Sequence, residues 1–554
     1  MNAITVSDAV VEALAAADVD VVFTLCGNHI LPLQDSMRRH GMRCVATRSE
    51  ATAVFAADAY GRVTRRAGVA LVTGGPGVSN AVTALLTARG NQSPVVLLSG
   101  EPSTAVEGRG AQQEADHVAL TAGATKASIR VTESGRVLDR LQEAFRIAEH
   151  GQPGPVHLTI PADVQQQPLR LPGAVPSARR PVQMPTPPAS FVAEVAECVR
   201  RAERPVLIVG AGVWQHRGER AVAVLSAEHR LPVFTLDSAR GIVPDSASCV
   251  FGSADASLNV AATSIALADC VIVAGREVDF RLGYGAALQP DATVVHMHAD
   301  PGTVGRNLPD TALLATGDPA MFLADLADAL NGHRIPDPWV ARVQAEAKDD
   351  ANTDDAGTPA HPGAVADVIA RVGTAADALF ALDCGEFVQW CRSRIPSEVP
   401  GSWLRLGPQA TCGAGLPFGI GAQAAAPDRR VIVIAGDGGL GYHVAELETA
   451  VRCDLPLVVV VGQDQAWGVE LLLQTGLYGP EGAFTSELTP TDYAAVARGF
   501  GCDSVLVSDE HDLEGALTDA LEARRPVLIQ VAIRNERSRA TERMVQSLRQ
   551  ASVQ

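Results

Sequence analysis

Two aspartates next to glycine-rich turns are the residues of this chain best suited to bind a metal and a phosphate. Asp437 lies in RRVIVIAGDGG (429–439), and Asp464 follows the four valines of VVVVGQDQAWG (458–468). Glycines beside a carboxylate let backbone N–H groups approach phosphate oxygens, and the N-terminus of a following helix favours negative charge. Two carboxylates facing a diphosphate would repel it unless a divalent cation such as Mg²⁺ lay between them. The alternative is an ordinary strand-end turn in which Asp437 caps the next helix.

Both aspartates follow predicted strands that can bring them together. The runs VIVIAG before Asp437 and LPLVVVVG before Asp464 are short and rich in β-branched residues, as in strands buried on both faces of a parallel sheet. The segment between them, 444–456, has apolar residues at helical spacing. Together they form a βαβ unit, whose right-handed crossover makes the two strands neighbours or near neighbours. The two carboxylates can therefore converge on one small volume.

The same alternation of strand and helix recurs along the whole chain. Short apolar runs that end in glycine include VALVTGG (69–75), RPVLIVGAG (204–212) and DCVIVAG (269–275). The pattern predicts an α/β fold with doubly wound parallel sheets, in which ligands bind beyond the carboxyl ends of the strands. A proline-rich stretch (165–190) and an acidic stretch (345–364) interrupt it, so that the chain has three parts. We predict domains at 1–168, 191–335 and 363–554, with linkers at 169–190 and 336–362.

Composition and charge exclude several classes of function. The 554 residues include 45 basic and 63 acidic side chains, for a net charge of −18, and no run of lysine or arginine indicates a nucleic-acid-binding surface. The N-terminus lacks the basic segment and cleavage site of a secretion signal, and no apolar run reaches membrane-spanning length. The ten cysteines include no C-x-x-C pair, which argues against a zinc site or a disulfide framework. We therefore expect a cytoplasmic protein that binds neither nucleic acid nor membranes.

The segment 436–468, GDGGLGYHVAELETAVRCDLPLVVVVGQDQAWG, resembles the signature of thiamine-diphosphate enzymes of the acetolactate synthase (acetohydroxyacid synthase) and pyruvate decarboxylase superfamily. CVATRSEATAVFAADAYGR (44–62) and TGGPGVSN (73–80) resemble that family's pyrimidine-binding domain, and RPVLIVGAG resembles its central domain. The third part resembles its diphosphate-binding domain. The resemblance therefore implies pyrimidine-binding, central and diphosphate-binding domains in that order. Gln463 and Asp464 depart from it, because the family carries two asparagines there.

The resemblance implies a metal and cofactor site in the third part of the chain. Its Mg²⁺ would be bound by Asp437, by the side chain of Asp464 and by the backbone carbonyl of Ala466. Aspartate suits this role because Mg²⁺ prefers anionic oxygen, although it adds one negative charge to the site. The other cofactor-binding residues implied here are Gly385, Glu386, Phe387, Cys412, Gly436, Gly438, Gly439, Trp467, Gly468 and Val469.

Glu50 is the predicted proton-handling residue of the first part. By the same resemblance it would share a proton with N1′ of the cofactor's aminopyrimidine, with Pro76 and Asn80 beside that ring. A carboxyl group in an apolar setting has a raised pKa and can take this role. Glu50 precedes ATAVFAADAYGR (51–62), in which apolar residues at helical offsets allow it to face a packed interior. The alternatives are a first-turn glutamate favoured by the helix dipole and, for TGGPGVSN, a plain tight turn.

Four further residues are predicted on the substrate side. Cys26-Gly27-Asn28 replaces the Pro-Gly-Gly of acetolactate synthases and is followed by His29, whereas Gln113 keeps a glutamine of that family. Glu470 stands where pyruvate decarboxylases carry a glutamate, and His29, with an ordinary pKa near 6.5, can serve as an acid or a base. The alternatives are a hydrogen-bonded loop histidine and a solvated helix glutamate. These departures argue against condensation of two plain pyruvate molecules.

We predict a thiamine-diphosphate- and Mg²⁺-dependent carboligase that decarboxylates a 2-oxo acid to an enamine and transfers the acyl unit to a second carbonyl. A non-ligating 2-oxo acid decarboxylase or C–C lyase is the second hypothesis. A nucleotide-dependent oxidoreductase is third, because the lone G-x-G at 210–212 lacks the full G-x-G-x-x-G. The resemblance allows FAD in the central domain, since some relatives hold a flavin there and many hold nothing, but the sequence does not support it. A non-catalytic relative is fourth, because of Asp464. The resemblance also implies a homodimer, or a dimer of dimers (homotetramer), with Glu50 acting across the subunit interface.

Overall fold

Six-stranded parallel sheets form the body of the chain. The computed structural model describes residues 3–171, 173–180, 182–348 and 357–551, and within these ranges three such sheets lie between helices. The central strands consist largely of valine, isoleucine and leucine with both faces buried, as in the GVALV strand of Gly68–Val72. The predicted α/β class with three doubly wound parallel sheets is confirmed.

The first unit extends from the N-terminal strand into the beginning of the proline-rich stretch. Its strands are β1 (Ala3–Thr5), β2 (Val21–Thr24), β3 (Arg43–Ala46), β4 (Gly68–Val72), β5 (Val95–Glu101), β6 (Ala127–Arg130), β7 (Pro155–Pro161) and β8 (Pro168–Arg170). Its helices are α1 (Val6–Ala15), α2 (Leu31–Arg39), α3 (Glu50–Thr64), α4 (Pro76–Gly90), α5 (His117–Ala122), α6 (Val137–Glu149) and α7 (Ala162–Gln165). The sheet order is β3-β2-β4-β5-β7-β6, and β1 pairs with β8 in an antiparallel ribbon.

The second unit has the sheet order β11-β10-β9-β12-β13-β14. These strands are β9 (Pro205–Val209), β10 (Val233–Thr235), β11 (Val250–Ser253), β12 (Cys270–Ala274), β13 (Thr293–His298) and β14 (Leu313–Thr316). The helices are α8 (Ala189–Arg201), α9 (Ala211–Gln215), α10 (Glu219–Ala227), α11 (Pro319–Leu330) and α12 (Asp337–Lys348).

The third unit has the sheet order β16-β15-β17-β18-β20-β19. These strands are β15 (Leu379–Leu382), β16 (Trp403–Leu404), β17 (Val431–Gly436), β18 (Val458–Gln463), β19 (Asp503–Val507) and β20 (Val527–Ala532). The helices are α13 (Pro362–Ala375), α14 (Glu386–Arg394), α15 (Gly415–Ala425), α16 (Asp437–Gly441), α17 (Glu446–Arg452), α18 (Gly468–Tyr478), α19 (Tyr493–Gly499), α20 (Glu510–Glu522) and α21 (Arg539–Ala551). Short 3₁₀ helices cover Asn28–Ile30, Thr104–Val106, Ser134–Arg136, Asp237–Ala239, Val260–Leu267, Phe280–Gly285, Gly407–Gln409 and Pro480–Gly482.

Helix α12 lies inside the stretch predicted as the second linker. Its residues Trp339, Val340 and Val343 are buried and belong to the apolar core of the second unit. The sequence 336–362 is therefore not extended throughout, because these three side chains at helical spacing bury apolar surface against the sheet. Residues 349–356 of that stretch lie outside the described residues.

Helices α3 and α15 join the first unit to the third within one chain. The Phe55 and Phe418 rings meet edge to face at 5.8 Å, and the Arg62 guanidinium lies 4.4 Å from the centre of the Phe418 ring. A Cβ atom on Gly421 would come within 2.1 Å of the Ala56 carbonyl oxygen, so only glycine permits this close approach. No helix in the described ranges is long and apolar enough to cross a membrane.

Candidate active site

The third sheet reverses its strand order between β15 and β17, which creates a crevice at their carboxyl ends. β16 lies on one side of β15, whereas β17, β18 and β20 follow on the other. Ligands of doubly wound sheets bind at such reversals. A cavity of about 280 Å³ opens here, lined by the segments that follow β15, β17 and β18 together with parts of α14, α18 and α21.

Asp437 and Asp464 meet at the edge of this cavity. Gly436 of β17 lies opposite Gly462 of β18 in the parallel register, so the aspartates that follow these strands leave the sheet side by side. The Asp437 carboxylate accepts hydrogen bonds from the Gly438 N–H at 3.0 Å and from the Gln465 N–H at 3.1 Å. Asp437 is therefore bonded into the same loop that carries Asp464.

Glycines beside the aspartates are required by close packing. A Cβ atom on Gly468 would lie 2.4 Å from Oδ2 of Asp464, and one on Gly438 would lie 2.8 Å from the Trp467 ring. Both distances are shorter than any van der Waals contact permits. The G-D-G-G and Q-D-Q-A-W-G words therefore specify one shape, in which two loops interlock around paired carboxylates.

The chemistry of the paired carboxylates fits a hard divalent cation. Burial raises the pKa of Asp437, and burial followed by the nearby charge of Asp437 raises the pKa of Asp464 to about 7. A cation between the two oxygens would remove this repulsion, and Mg²⁺ takes oxygen ligands of this type. In the described residues no three His, Cys, Asp or Glu side chains cluster to hold a metal ion. A metal bound here would therefore complete its shell with backbone, phosphate and water oxygens.

Gln463 and Asp464 stand where two asparagines were expected, and their side chains have different surroundings. The Gln463 side chain donates to the Thr491 carbonyl at 2.8 Å and accepts from Gln530 at 2.6 Å. It thus fastens β18 to its neighbours and does not enter the cavity. Of these two residues only Asp464 lines the cavity, and its Oδ1 accepts a hydrogen bond from the Ala466 N–H at 3.3 Å.

Glu50 belongs to a second group of residues, in the first unit. It begins helix α3, is 9% exposed, and its Oε2 accepts a hydrogen bond from Nδ2 of Asn80 at 3.1 Å. Pro76 and Asn80 lie on helix α4 and face solvent in this single chain. The structure therefore brings Glu50 and Asn80 together, as the predicted pyrimidine-side residues require.

The chain matches three models of one family, in the expected order. Residues 4–120 match the thiamine pyrophosphate enzyme N-terminal TPP binding domain, residues 192–326 the central domain, and residues 383–531 the C-terminal TPP binding domain. A probable acetolactate synthase of Mycobacterium bovis is 32% identical over 530 residues, which cover 94% of each chain. The chain belongs to the thiamine pyrophosphate enzymes. The family predicted from the sequence is therefore confirmed.

Other relatives of this thiamine pyrophosphate enzyme carry two different names. The acetolactate synthase large subunit of Mycobacterium tuberculosis is 32% identical over 530 residues, which again cover 94% of each chain. The 2-hydroxyacyl-CoA lyase 2 of Danio rerio is 31% identical over 563 residues, covering 93% of this chain and 88% of the relative. The binding of thiamine pyrophosphate (thiamine diphosphate) is common to this family, whereas the reaction differs between the two names.

Most of the predicted diphosphate-side residues lie at one cavity of the enzyme. Those that line it are Gly385, Glu386, Phe387, Cys412, Gly436, Gly438, Gly439, Asp464, Ala466, Trp467, Gly468, Val469 and Glu470. The Glu386 carboxylate is also engaged elsewhere, because it accepts hydrogen bonds from the Ser538 N–H and the Thr541 hydroxyl and so anchors the start of α21. Every lining residue lies between residues 384 and 544, and Glu50 is not among them.

His29 and Gln113 meet in the first unit, close to the turn that begins α4. His29 Nδ1 is 3.4 Å from the Thr73 hydroxyl, which itself lies 3.4 Å from Oε1 of Gln113. Burial lowers the pKa of His29 below its ordinary value of 6.5. Asn28 begins the short 3₁₀ helix that also contains His29, and it is exposed. The predicted substrate-side residues of the first unit are thus neighbours, whereas Glu470 lies at the cavity of the third unit.

A larger cavity, of about 430 Å³, lies in the first unit and suits the cofactor less well. Its charged lining consists of four carboxylates and one guanidinium, those of Glu101, Glu107, Glu114, Asp116 and Arg130, and Arg130 pairs with Glu101 and Glu107. Its lining does not include the glycine-flanked aspartates that follow β17 and β18, where a diphosphate and a cation could bind together. The smaller cavity beside Asp437 therefore fits thiamine diphosphate better.

Sequence reasoning missed Asp383, a buried carboxylate directly after β15. It accepts hydrogen bonds from the backbone N–H groups of Cys384, Gly413 and Gly415 at 2.7, 2.8 and 3.0 Å. It therefore ties together the two loops that form one wall of the cavity. Its position in the sequence could have indicated this role. A carboxylate that follows a buried parallel strand is itself buried, and it therefore needs hydrogen-bond donors from neighbouring loops.

Proposed function

We propose that this protein is a thiamine-diphosphate- and Mg²⁺-dependent carboligase that uses a 2-oxo acid as donor and a second carbonyl compound as acceptor. The observation that carries the proposal is the pairing of buried Asp437 with half-buried Asp464 beside a cavity at the reversal of the third sheet. The acetolactate synthases among the relatives support ligation as the reaction.

The third unit would hold the metal and the diphosphate. Asp437, Asp464 and the backbone carbonyl of Ala466 would ligate Mg²⁺, and the glycines at 438 and 439 leave the start of helix α16 accessible to phosphate oxygens. When bound, thiamine diphosphate supplies a nucleophilic carbon that adds to the carbonyl of a 2-oxo acid and permits loss of CO₂.

Glu50 would hold the proton at N1′ of the aminopyrimidine. Its low exposure and its hydrogen bond from Asn80 orient the carboxyl group, which must face the ring to exchange a proton. Because the cavity beside Asp437 is lined only by the third unit, while Pro76 and Asn80 are exposed in this chain, Glu50 would serve a cofactor bound by a second copy. The proposed active enzyme is therefore at least a homodimer.

His29, Gln113 and Asn28 would contact the substrate from the pyrimidine side. The lowered pKa of His29 leaves its ring neutral near neutral pH, so it can accept a proton or donate an N–H hydrogen bond to a carbonyl oxygen. Glu470, exposed at the cavity mouth, would act from the diphosphate side. The two groups meet only when two copies associate.

Cleavage of a 2-hydroxyacyl compound is the second candidate reaction. It is favoured by the 2-hydroxyacyl-CoA lyase 2 proteins of Danio rerio and Xenopus laevis, each 31% identical to this chain. Carboligation and carbon–carbon cleavage are opposite directions of one bond change, so the same residues can serve both. The acceptor pocket decides which direction the enzyme uses.

Product analysis tests the proposal and separates the two reactions. The protein is incubated with Mg²⁺, thiamine diphosphate and a 2-oxo acid, with and without an added aldehyde, and in parallel with a 2-hydroxyacyl thioester. A ligated hydroxy-ketone product, found by mass spectrometry, is expected for the carboligase. Aldehyde alone would indicate a decarboxylase, and release of a formyl thioester would indicate the lyase. Asp437→Ala should abolish each reaction, whereas Asp428→Asn, at an exposed position, should not.

A further inference from the structure

Two thiols meet in the wall of the cavity beside Asp437. The Sγ atoms of Cys384 and Cys412 are 2.6 Å apart, although the two residues are 28 positions apart in the chain, and both residues line the cavity. A disulfide bond requires about 2.05 Å between the sulfur atoms. The two sulfurs therefore need to move only a fraction of an ångström to become bonded.

The backbone holds the two cysteines in this arrangement independently of their oxidation state. The Asp383 carboxylate accepts hydrogen bonds from the N–H of Cys384 and from the N–H groups of Gly413 and Gly415, which follow Cys412. Asp383 is 1% exposed, so these bonds are shielded from water. Bringing the thiols together therefore costs little conformational entropy, because the loops are already joined.

The loop that carries Cys412 is also fixed from its other side. The Thr411 hydroxyl lies 2.7 Å from the Thr87 hydroxyl of helix α4, and His443 Nδ1 lies 2.9 Å from the Gly413 carbonyl oxygen. Gly413 has a φ of +85°, and a Cβ atom there would come within 2.3 Å of Tyr442. The loop therefore cannot carry Cys412 far from Cys384 without losing these contacts.

We propose that Cys384 and Cys412 form a reversible disulfide at the cofactor cavity, and that the oxidised pair weakens the binding of thiamine diphosphate. With a hydroperoxide as oxidant, one thiolate attacks the peroxide oxygen to give a sulfenic acid and water or an alcohol. The second thiol then displaces water from that sulfur as the S–S bond forms. A dithiol reductant reverses the change by thiol–disulfide exchange. The effect on binding rests on the proposed cofactor site.

The weaker binding follows from the position of the sulfur atoms. Both thiols line the cavity, so a bond between them replaces two S–H groups that a bound cofactor could contact and fixes the two sulfur atoms in the wall. Conversely, a bound cofactor covers the thiols and blocks the access of an oxidant through the cavity. If the oxidised pair weakens binding, linkage requires that bound cofactor disfavours the disulfide by the same free energy.

The test uses the full-length protein stripped of cofactor with a chelator, then exposed to hydrogen peroxide and alkylated. Peptide mass spectrometry should find residues 384 and 412 joined, with two hydrogens lost, and a dithiol should restore both thiols. Calorimetric titration with thiamine diphosphate and Mg²⁺ should show several-fold weaker binding to the oxidised form. Cys384→Ser and Cys412→Ser should each abolish both changes, whereas Cys44→Ser, at an exposed thiol of β3, should keep them.

Two results would overturn the proposal. One is the absence of the joined 384–412 peptide under oxidation, and the other is equal cofactor affinity of the reduced and oxidised proteins. If instead the reduced protein failed to bind thiamine diphosphate, the proposed cofactor site would be wrong. The peptide measurement needs no cofactor, so it decides the thiol pair in either case.

Discussion

Asp464→Asn should stabilise the protein in the absence of metal, and more strongly as the pH rises. In the folded chain the pKa of Asp464 is raised from 3.8 to about 7, by burial and then by the charge of Asp437. Between pH 3.8 and about 7, the Asp464 carboxyl group is therefore protonated in the folded state and ionised in the unfolded state. The wild-type protein loses stability as the pH rises through this window, whereas an asparagine does not titrate.

The size of the effect follows from the same values. A pKa of about 7 instead of 3.8 corresponds to about 4 kcal/mol at about pH 8, and partial exposure of the carboxylate reduces this to about 2 to 3 kcal/mol. For a unit of this size, about 2 to 3 kcal/mol raises the melting temperature by about 4 to 12 °C. At about pH 4 most of the difference should disappear, because Asp464 is then protonated in the folded state and the unfolded state, with its pKa of 3.8, has released only about half of this proton.

Thermal unfolding in a chelating buffer measures this difference. Wild type and Asp464→Asn are compared across the pH range, with Asp428→Asn as a matched control at an exposed position of the same unit. Mg²⁺ and thiamine diphosphate should then favour the wild-type protein, because the cation converts the repulsion into binding. A pH-independent difference, or a variant less stable than wild type at high pH, would contradict the reasoning about the paired carboxylates.

Three further outcomes are expected. Glu50→Gln should slow hydrogen–deuterium exchange at C2 of bound thiamine diphosphate by about 10² or more, because a general acid–base group is lost; an unchanged exchange rate would remove Glu50 from this role. Gly438→Ala should weaken cofactor binding in calorimetry, because its Cβ atom would lie 2.8 Å from the Trp467 ring; unaltered affinity would show that the loops do not interlock as described. Burial lowers the pKa of His157 from 6.5 to about 3, so stability should fall by up to about 1.4 kcal/mol per pH unit below about pH 6.5. In thermal unfolding His157→Asn should lack this acid slope, and equal slopes would refute the assignment.

The sequence predicted the features that depend on local pattern. The buried valine and isoleucine runs predicted parallel strands, and the glycine-flanked aspartates predicted two loops that meet at one sheet edge. The resemblance then predicted the family, which the three family models confirm. These features can be predicted because buried strands and tight turns each require particular residue types at consecutive positions.

Other features depend on contacts between distant parts of the chain. Helix α12 lies in a stretch that reads as polar linker, and only its packing on the second sheet shows why Trp339 and Val343 are there. The direction of Gln463, away from the cavity, is set by Gln530 on β20. The meeting of Cys384 with Cys412 depends on Asp383, whose bonds span the two loops. No spacing rule in one sequence encodes such contacts.

Complementation between two inactive variants tests most directly whether Glu50 of one chain acts on the cofactor held by Asp437 and Asp464 of another. Glu50→Gln and Asp437→Ala are each produced alone, and the two variants are also co-expressed. Hydrogen–deuterium exchange at C2 of the cofactor is measured for all three preparations. If the site is shared at a two-fold interface, each mixed dimer contains one site with both wild-type residues and one site with neither. Random pairing makes about half of the dimers mixed, so about one quarter of all sites should be active. No recovery on co-expression, although each variant folds and dimerises, would mean that Glu50 does not act across the interface.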